Sequence, residues 1–241
     1  MPRSAALHGL GIPQDRLQRL AATLGMPRWL PSAAPGDGDA SRVVLLFGDH
    51  EAAEQPTHWV RPFAAWIEAG ARSDAALADS IARAAGADLY ASITTATANH
   101  LYLASRIVAA LASRRPLGDA QRDDMELALH EAISNAVVHG NLQVDGMKGL
   151  SVAALDRFSH ELAARIADPT FAGRLIEVSA RLEPDAAVIE VSDEGNGFAQ
   201  TASAGGAGPA PSGRGLDLIS AIAEQVELLD DGRRIRMRFA L

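Results

Sequence analysis

The strongest constraint on the fold is a pair of hairpin signals in the last third of the chain. The segments RLIEVSARLE (174–183) and AAVIEVSDEG (186–195) read as strands and are separated only by Pro-Asp. QVELL (225–229) and RRIRMRFAL (233–241) flank Asp-Asp-Gly in the same way. Because tight turns join antiparallel strands, this part of the chain is predicted to form an antiparallel sheet.

Helical segments precede and interrupt these strands. Helices are predicted at residues 98–115, 119–140, 151–166 and 215–225. A strand is predicted at 89–94, and Gly140 is expected to cap the second helix. This order of elements predicts an α+β fold, a two-layer sandwich in which one mostly antiparallel sheet carries helices on one face.

Residues 1–88 are predicted to form a separate N-terminal module, either small α/β or mainly helical. A buried strand is expected at RVVLLF (42–47), and helices are expected at 13–25, 57–71 and 73–87. The strand and the Asp49 behind it are similar to the first strand of a receiver domain, but too few strands fit before residue 90. A regulatory, partner-binding or dimerising appendage is therefore preferred to a degenerate receiver.

Composition limits the partners and the setting. The 241 residues carry a formal net charge of −8 and contain no basic block, which argues against nucleic-acid binding. There is no cysteine, so disulfides and thiolate metal sites are excluded. The N-terminus lacks a secretory apolar core, and no apolar run approaches the roughly 20 residues that span a bilayer. We expect a cytoplasmic protein that binds no membrane.

A polar stripe lies within the second long helix, in HEAISNAVVHG (130–140). Glu131, Asn135 and His139 are each four residues apart, so a helix places them on one face. Burying a carboxylate and an amide among apolar neighbours is unfavourable unless each finds a partner. Taken alone, the stripe is explained better by a solvent-facing surface or by polar core residues bonded to the backbone.

Two glycine-containing motifs follow. In VSDEGNGF, the alternation of a strand places Asp193 on the same face as Ile189 and Val191, and Gly195 and Gly197 allow close approach of a flat ligand. In SGRGL (212–216), two glycines open a helix, and a helix N-terminus is a potential anion site. An ordinary Asp-Gly turn and a flexible linker are the alternatives for the two motifs.

The three motifs together resemble those of the GHKL family of ATP-binding domains, also called the Bergerat fold, over residues 89–241. ExxxN at 131–135 is similar to the N box of that family, DxGxGF at 193–198 to its G1 box, and GxGL at 213–216 to its G2 box. The form LALHEAISNAVVHG is closest to the anti-sigma factor serine/threonine kinases of bacterial partner-switching systems. A Walker-type ATP site is excluded, because no GxxxxGK[ST] segment occurs.

The resemblance implies ATP and Mg²⁺ as cofactors and assigns roles to nine residues. Asn135 would bind Mg²⁺ with its amide oxygen, and Glu131 would be the catalytic general base. His139 would lie near the phosphates, and Asp193 would accept a hydrogen bond from the adenine amino group. The remaining residues would make room for the base or contact the phosphates: Gly195, Gly197, Gly213, Arg214 and Gly215.

The resemblance also implies an activity and partners. The chain would transfer the γ-phosphate of ATP to a serine or threonine of an anti-anti-sigma (STAS-type) protein and so regulate a sigma factor by partner switching. A sigma factor and a second copy of the chain are further candidate partners. The alternatives are a non-catalytic nucleotide-sensing module and the ATPase domain of a split two-component histidine kinase. No phosphoacceptor hairpin accompanies the motifs, and His100 lacks the charged neighbours of an acceptor.

Two segments depart from the compact anti-sigma pattern. Residues 141–173 are longer than that pattern requires and contain the additional predicted helix at 151–166. The lid region, 199–212, is short and rich in small residues, which predicts a mobile loop.

Overall fold

The computed structural model describes residues 5–28, 42–146, 151–197 and 214–241. Its strands are β1 (Ala5–Leu10), β2 (Arg42–Phe47), β3 (Phe63–Glu68), β4 (Leu89–Thr94), β5 (Leu175–Leu182), β6 (Ala186–Ser192), β7 (Gln225–Leu229) and β8 (Arg234–Ala240). Its α-helices are α1 (Gln14–Leu24), α2 (His50–Ala53), α3 (Asp74–Ala85), α4 (Thr95–His100), α5 (Leu103–Ala112), α6 (Asp119–Asn135), α7 (Val152–Ala167), α8 (Pro169–Ala172) and α9 (Arg214–Ile222). Short 3₁₀ turns occupy Pro56–Trp59 and Asp230–Gly232, and a π-helical segment, Ala136–Asn141, continues α6.

All the described strands join one sheet in the order β1-β2-β3-β4-β5-β6-β8-β7. The strands from β1 to β4 pair in parallel. From β4 onward the pairing is antiparallel, through both predicted hairpins. The predicted α+β sandwich with a mixed, mostly antiparallel sheet is confirmed. Below, the parallel half means β1–β4 and the antiparallel half means β5–β8.

The parallel half is covered on both faces. Every residue of β3 is buried, as are all but the first of β2 and all but the last of β4. Helices α1 and α3 pack on one face through side chains such as Leu17 and Leu77. Helices α5 and α6 pack on the other face, where Trp59 and Trp66 stack with ring centroids 4.5 Å apart. Continuous apolar strands are expected where a parallel sheet has two covered faces.

The antiparallel half is covered on one face only. Buried and partly exposed positions alternate along β5, β6 and β8. Ile176, Ile189 and Met237 are fully buried on the helix side. On the other face, Arg236 forms ion pairs with Glu190 and Glu227. The predicted placement of helices on one face is therefore found in this half.

The predicted helix at 57–71 is wrong. Its first residues form a 3₁₀ turn, and Phe63–Glu68 forms the fully buried strand β3. A short apolar run with no polar alternation has no distinguishing period, so a buried strand and a buried helix look alike. Pairing with β2 and β4 decides between them here.

Three smaller expectations also require correction. The edge strand β1 was not predicted, although α1 behind it was. The helix predicted at 98–115 is divided into α4 and α5, because Leu101 has an extended backbone with φ −88° and ψ 135°. Gly140 does not cap α6, since it lies inside the π-helical segment.

The extra helix predicted at 151–166 is α7. It presents Phe158, Leu162 and Ile166 to the main core and leaves Val152 and Leu155 exposed. The predicted domain boundary falls between α3 and β4, and β3 pairs with β4 across it. None of the described helices is long and apolar enough to cross a membrane.

Candidate functional site

The polar stripe lies where α6 passes into the π-helical segment. Glu131 and Asn135 occupy the last two turns of α6, and His139 follows in the π segment. A π turn contains an extra residue, so it rotates the residues after it relative to the helix before it. His139 nevertheless faces the same cavity as Asn135.

His139 has a defined hydrogen bond. Its Nδ1 lies 2.7 Å from the carbonyl oxygen of Val144. A carbonyl only accepts, so Nδ1 carries the hydrogen and Nε2 is left for another partner.

Asp193 directly follows β6 on the side of Ile189 and Val191, as the strand alternation predicted. The alternation did not decide which side the helices cover, and the structure shows that it is this one. Its N–H donates to the carbonyl of Arg233 at 3.0 Å, and its Oδ1 accepts from the N–H of Gly195 at 2.8 Å. Burial raises the pKa of Asp193 to about 6, although the Gly195 N–H and the charges of Arg233 and Arg174 act in the opposite direction. The carboxylate is thus kept in an environment that disfavours its charge.

Gly140 brings the π-helical segment against Asp193. A Cβ at residue 140 would lie 2.5 Å from Cγ of Asp193. In the opposite direction, a Cβ at Gly195 would lie 2.2 Å from the carbonyl oxygen of Gly140. A side chain at Gly195 would require a shift of the backbone, and one at Gly140 would require the Asp193 carboxylate or the π-helical segment to move, so both glycines permit this close approach.

Gly197 makes a similar approach to the β7–β8 turn. Its φ of +71° lies in the left-handed region, and a Cβ there would lie 2.2 Å from the carbonyl oxygen of Asp231. The glycines of the G1-like motif therefore accommodate neighbouring backbone of the chain itself.

Gly215 lies at the start of α9 against the polar stripe. A Cβ at this position would lie 2.8 Å from Oε2 of Glu131 and 3.2 Å from Nδ2 of Asn135. The carboxylate, the amide and the first turn of α9 thus meet at one point. Gly213 and the side chain of Arg214 lie outside the described residues, as does the lid region 199–212.

A cavity of about 210 Å³ lies between α6, the sheet and α9. Polar groups reach it from Asn135, His139, Asp193 and Arg233. Its apolar walls come from Ala132, Ala136, Val191, Leu216, Leu228 and Ile235. A mostly apolar cleft with a few convergent polar groups is the usual form of a small-molecule site.

Comparison with known proteins identifies the kind of site. The family model described as the histidine kinase-like ATPase domain matches residues 94–239, more than half of the chain.

The chain belongs to the histidine kinase-like ATPase family.

No curated protein matched the sequence.

Membership in the histidine kinase-like ATPase family supports the resemblance to GHKL-type ATPases and ATP as the nucleotide. The matched segment begins at the last residue of β4 and ends within β8, so it contains the whole cavity. The closer resemblance to anti-sigma factor kinases remains a prediction.

The donors near the α9 end of the ATPase cavity suit a hard cation. Within the described ranges, no group of three or more His, Cys, Asp or Glu residues could hold a metal ion. However, Asn135 offers an amide oxygen close to Gly215. Mg²⁺ takes few protein ligands of this oxygen type when phosphates and water complete its shell.

Sequence reasoning missed part of the ATPase site. Arg233 reaches the cavity from the β7–β8 turn, and Leu228 forms part of its wall. Asn141 fixes the backbone beside Asp193 through a hydrogen bond to the N–H of Glu194. A single polar residue after a glycine forms no recognisable pattern, whereas the three residues of the polar stripe recur at a fixed spacing of four.

Proposed function

We propose that this protein is an ATP-dependent serine/threonine protein kinase of the anti-sigma factor type, with an anti-anti-sigma (STAS-type) protein as its substrate. The observation that supports this most strongly is the position of Glu131. Its carboxylate lies beside Asn135, a residue that lines the cavity, and against Gly215 at the start of α9. A general base is needed there for phosphoryl transfer, whereas a nucleotide sensor has no need of one.

Asp193 recognises the adenine in this proposal. Its carboxylate accepts a hydrogen bond from the exocyclic amino group, and the base lies between the apolar walls of the cavity. The close approach of Gly140 leaves the carboxylate partly desolvated, which strengthens a hydrogen bond to a ligand donor.

The phosphates extend toward the start of α9. Asn135 would hold Mg²⁺ with its amide oxygen, and the ion would neutralise phosphate charge when bound. Nδ1 of His139 is engaged with Val144, so Nε2 would be the ring nitrogen that contacts the phosphates. Gly213 and Gly215 contribute backbone N–H groups, and Arg214 adds positive charge.

Glu131 performs the proton step. It removes the proton from the partner hydroxyl while the hydroxyl oxygen bonds to the γ-phosphorus. The bond from the γ-phosphorus to the bridging oxygen breaks, and ADP leaves with the bridging electron pair. Positioning and charge neutralisation contribute most of the catalysis of phosphoryl transfer, and these residues can supply both.

The partners follow from the same proposal. Phosphorylation of the anti-anti-sigma protein would change its affinity for the kinase and so control a sigma factor in the cytoplasm of a bacterium. A second copy of the chain is a further proposed partner.

The test compares Glu131→Gln with wild-type protein, using labelled ATP and a small anti-anti-sigma protein. We expect ATP binding to persist and the transfer rate to fall by about 10²–10⁴-fold, the usual contribution of a general base. Glu126→Gln, an exposed carboxylate on the same helix, is the matched control and should keep the wild-type rate.

Other outcomes would contradict the proposal. Transfer at the wild-type rate by Glu131→Gln would remove the general-base role. A labelled product that is acid-labile would indicate phosphohistidine and a split histidine kinase. Tight ATP binding without transfer to any candidate partner would indicate a nucleotide sensor.

A further inference from the structure

Asn141 is a buried polar residue outside the three motifs. It ends the π-helical segment, and its side chain is fully buried. Its Nδ2 donates to Oγ1 of Thr95 at 2.8 Å and to the carbonyl oxygen of Leu175 at 2.9 Å. Its Oδ1 accepts from the N–H of Glu194 at 2.7 Å. One side chain thus connects the starts of α4 and β5 to the loop that follows β6.

Further hydrogen bonds fix the partners of Asn141. Arg174 donates through Nη1 to the carbonyl oxygen of Asn141 at 2.7 Å. The carbonyl of Arg174 in turn accepts from both the N–H and the hydroxyl of Thr95 at 2.8 Å. Oε2 of Glu194 accepts from the N–H of Leu175 at 2.7 Å. A buried polar network with all members satisfied is rigid, because every alternative leaves a polar group unpaired.

This network fixes the backbone around Asp193. The N–H of Asp193 is bonded to Arg233, and the next N–H, that of Glu194, is bonded to Asn141. The residue before Asn141 is Gly140, whose Cα faces the Asp193 carboxylate. The chain is therefore held on both sides of Asp193, and the π-helical segment sets the depth of its carboxylate in the cavity.

We propose that Asn141 is a positioning residue that sets selectivity for 6-aminopurine over 6-oxopurine nucleotides by fixing the Asp193 carboxylate. The inference depends on the proposed contact between Asp193 and the adenine amino group. A carboxylate held in place accepts from an amino group and repels the carbonyl oxygen of a 6-oxopurine. A carboxylate free to move away discriminates less.

Asparagine supplies what this position requires. Two donors and one acceptor are used in a space without solvent. Aspartate would lose both donors, and alanine would lose all three bonds.

The experiment measures dissociation constants of Mg-ATP and Mg-ITP for the full chain by calorimetry. The wild-type ratio of the two constants is compared with that of Asn141→Ala. Thr95→Val is a milder second variant, because it removes one acceptor and keeps the bond to Glu194. Ser80→Ala is the matched control: Ser80 is fully buried, accepts from Arg72 and Arg83, and lies in α3 under the parallel half.

We expect selectivity for ATP to fall about tenfold in Asn141→Ala and less in Thr95→Val. Ser80→Ala should lower the melting temperature and keep the wild-type ratio. An unchanged ratio in both Asn141→Ala and Thr95→Val would overturn the inference and leave Asn141 with a structural role only. If Asn141→Ala does not fold, the ratio in Thr95→Val decides alone.

Two results would instead contradict the proposed function. Equal affinity of the wild-type protein for ATP and ITP would show that Asp193 does not recognise the adenine amino group. Absence of nucleotide binding would show that the cavity is not an ATP site. Both are measured before any variant, so they are distinct from failure of the Asn141 inference.

Discussion

The two halves of the sheet use similar apolar residues in different ways. The parallel half buries both faces, so its strands are continuous apolar segments. The antiparallel half buries one face, and its alternating strands bring Asp193 to the covered side. The described part of the nucleotide cavity lies entirely under the antiparallel half and the helices beside it. The parallel half therefore supports the site without lining it.

The largest expected effect comes from deletion of residues 1–88, which removes most of the parallel half. This removes β1–β3 and turns β4 into an edge strand. It also removes Trp59 and Trp66 from the core that α5 and α6 share, and Glu68 from its hydrogen bonds to Thr94. We expect the remaining chain to lose its cooperative thermal unfolding transition, as followed by circular dichroism.

The opposite result would change the comparison. If residues 89–241 unfold cooperatively and bind Mg-ATP as the full chain does, this segment folds independently of residues 1–88. The predicted boundary at residue 88 would then be a true domain boundary.

A smaller effect on ATP affinity is expected from adding one methyl group beside Asp193, compared with one added at the end of α3. Gly140→Ala places a Cβ against the Asp193 carboxylate, so Asp193 or the π-helical segment must move. We expect affinity for Mg-ATP to fall by at least about tenfold, because an ångström-scale misplacement loses a directional hydrogen bond.

Gly86→Ala is the matched control in the parallel half. A Cβ at Gly86 would lie 3.5 Å from the carbonyl oxygen of Arg83, an ordinary contact, and φ there is −84°. Calorimetry should find wild-type ATP affinity for this variant. Equal affinities for the Gly140→Ala and Gly86→Ala proteins would show that the contact with Asp193 is unimportant.

The smallest expected effect is a gain in stability from Asp193→Asn. The pKa of Asp193 is raised from 3.8 to about 6 by burial, so its ionised form destabilises the folded state above that pH. The variant has no such charge and should be more stable than wild type near neutral pH by about 1–2 kcal/mol, after allowance for solvent screening. The difference should disappear as pH falls through about 6 toward 4, where wild-type Asp193 is protonated.

Urea denaturation at several pH values measures this difference. Asp168→Asn provides a control of opposite sign, because hydrogen bonds from Thr170 lower the pKa of Asp168. That variant should not be stabilised near neutral pH. If the Asp193→Asn protein is less stable than wild type at neutral pH, the ionised carboxylate stabilises the folded state, contrary to this prediction.

The sequence predicted the antiparallel half better than the parallel half, and the reason is physical. Alternation along β6 placed Asp193 on the same face as Ile189 and Val191, and turn residues identified both hairpins. In β3, six consecutive buried residues carry no period, so the sequence pattern cannot distinguish this strand from a buried helix. The edge strand β1 has mixed polarity and gave no signal.

The candidate site shows the same limit. The four-residue spacing identified Glu131, Asn135 and His139 as candidates, because a helical period can be recognised in the sequence alone. The contact of Gly140 with Asp193 and the bonds of Asn141 join residues more than 30 positions apart. Such contacts depend on how the elements pack, and no local pattern encodes them.

The most direct test of the account is a calorimetric titration of wild-type protein and Asp193→Asn with Mg-ATP near neutral pH. The account predicts one site per chain in the wild type and a loss of about tenfold or more in the variant, since the adenine amino group loses its charged acceptor. Absence of wild-type binding at millimolar ATP, or equal affinities for the two proteins, would contradict it.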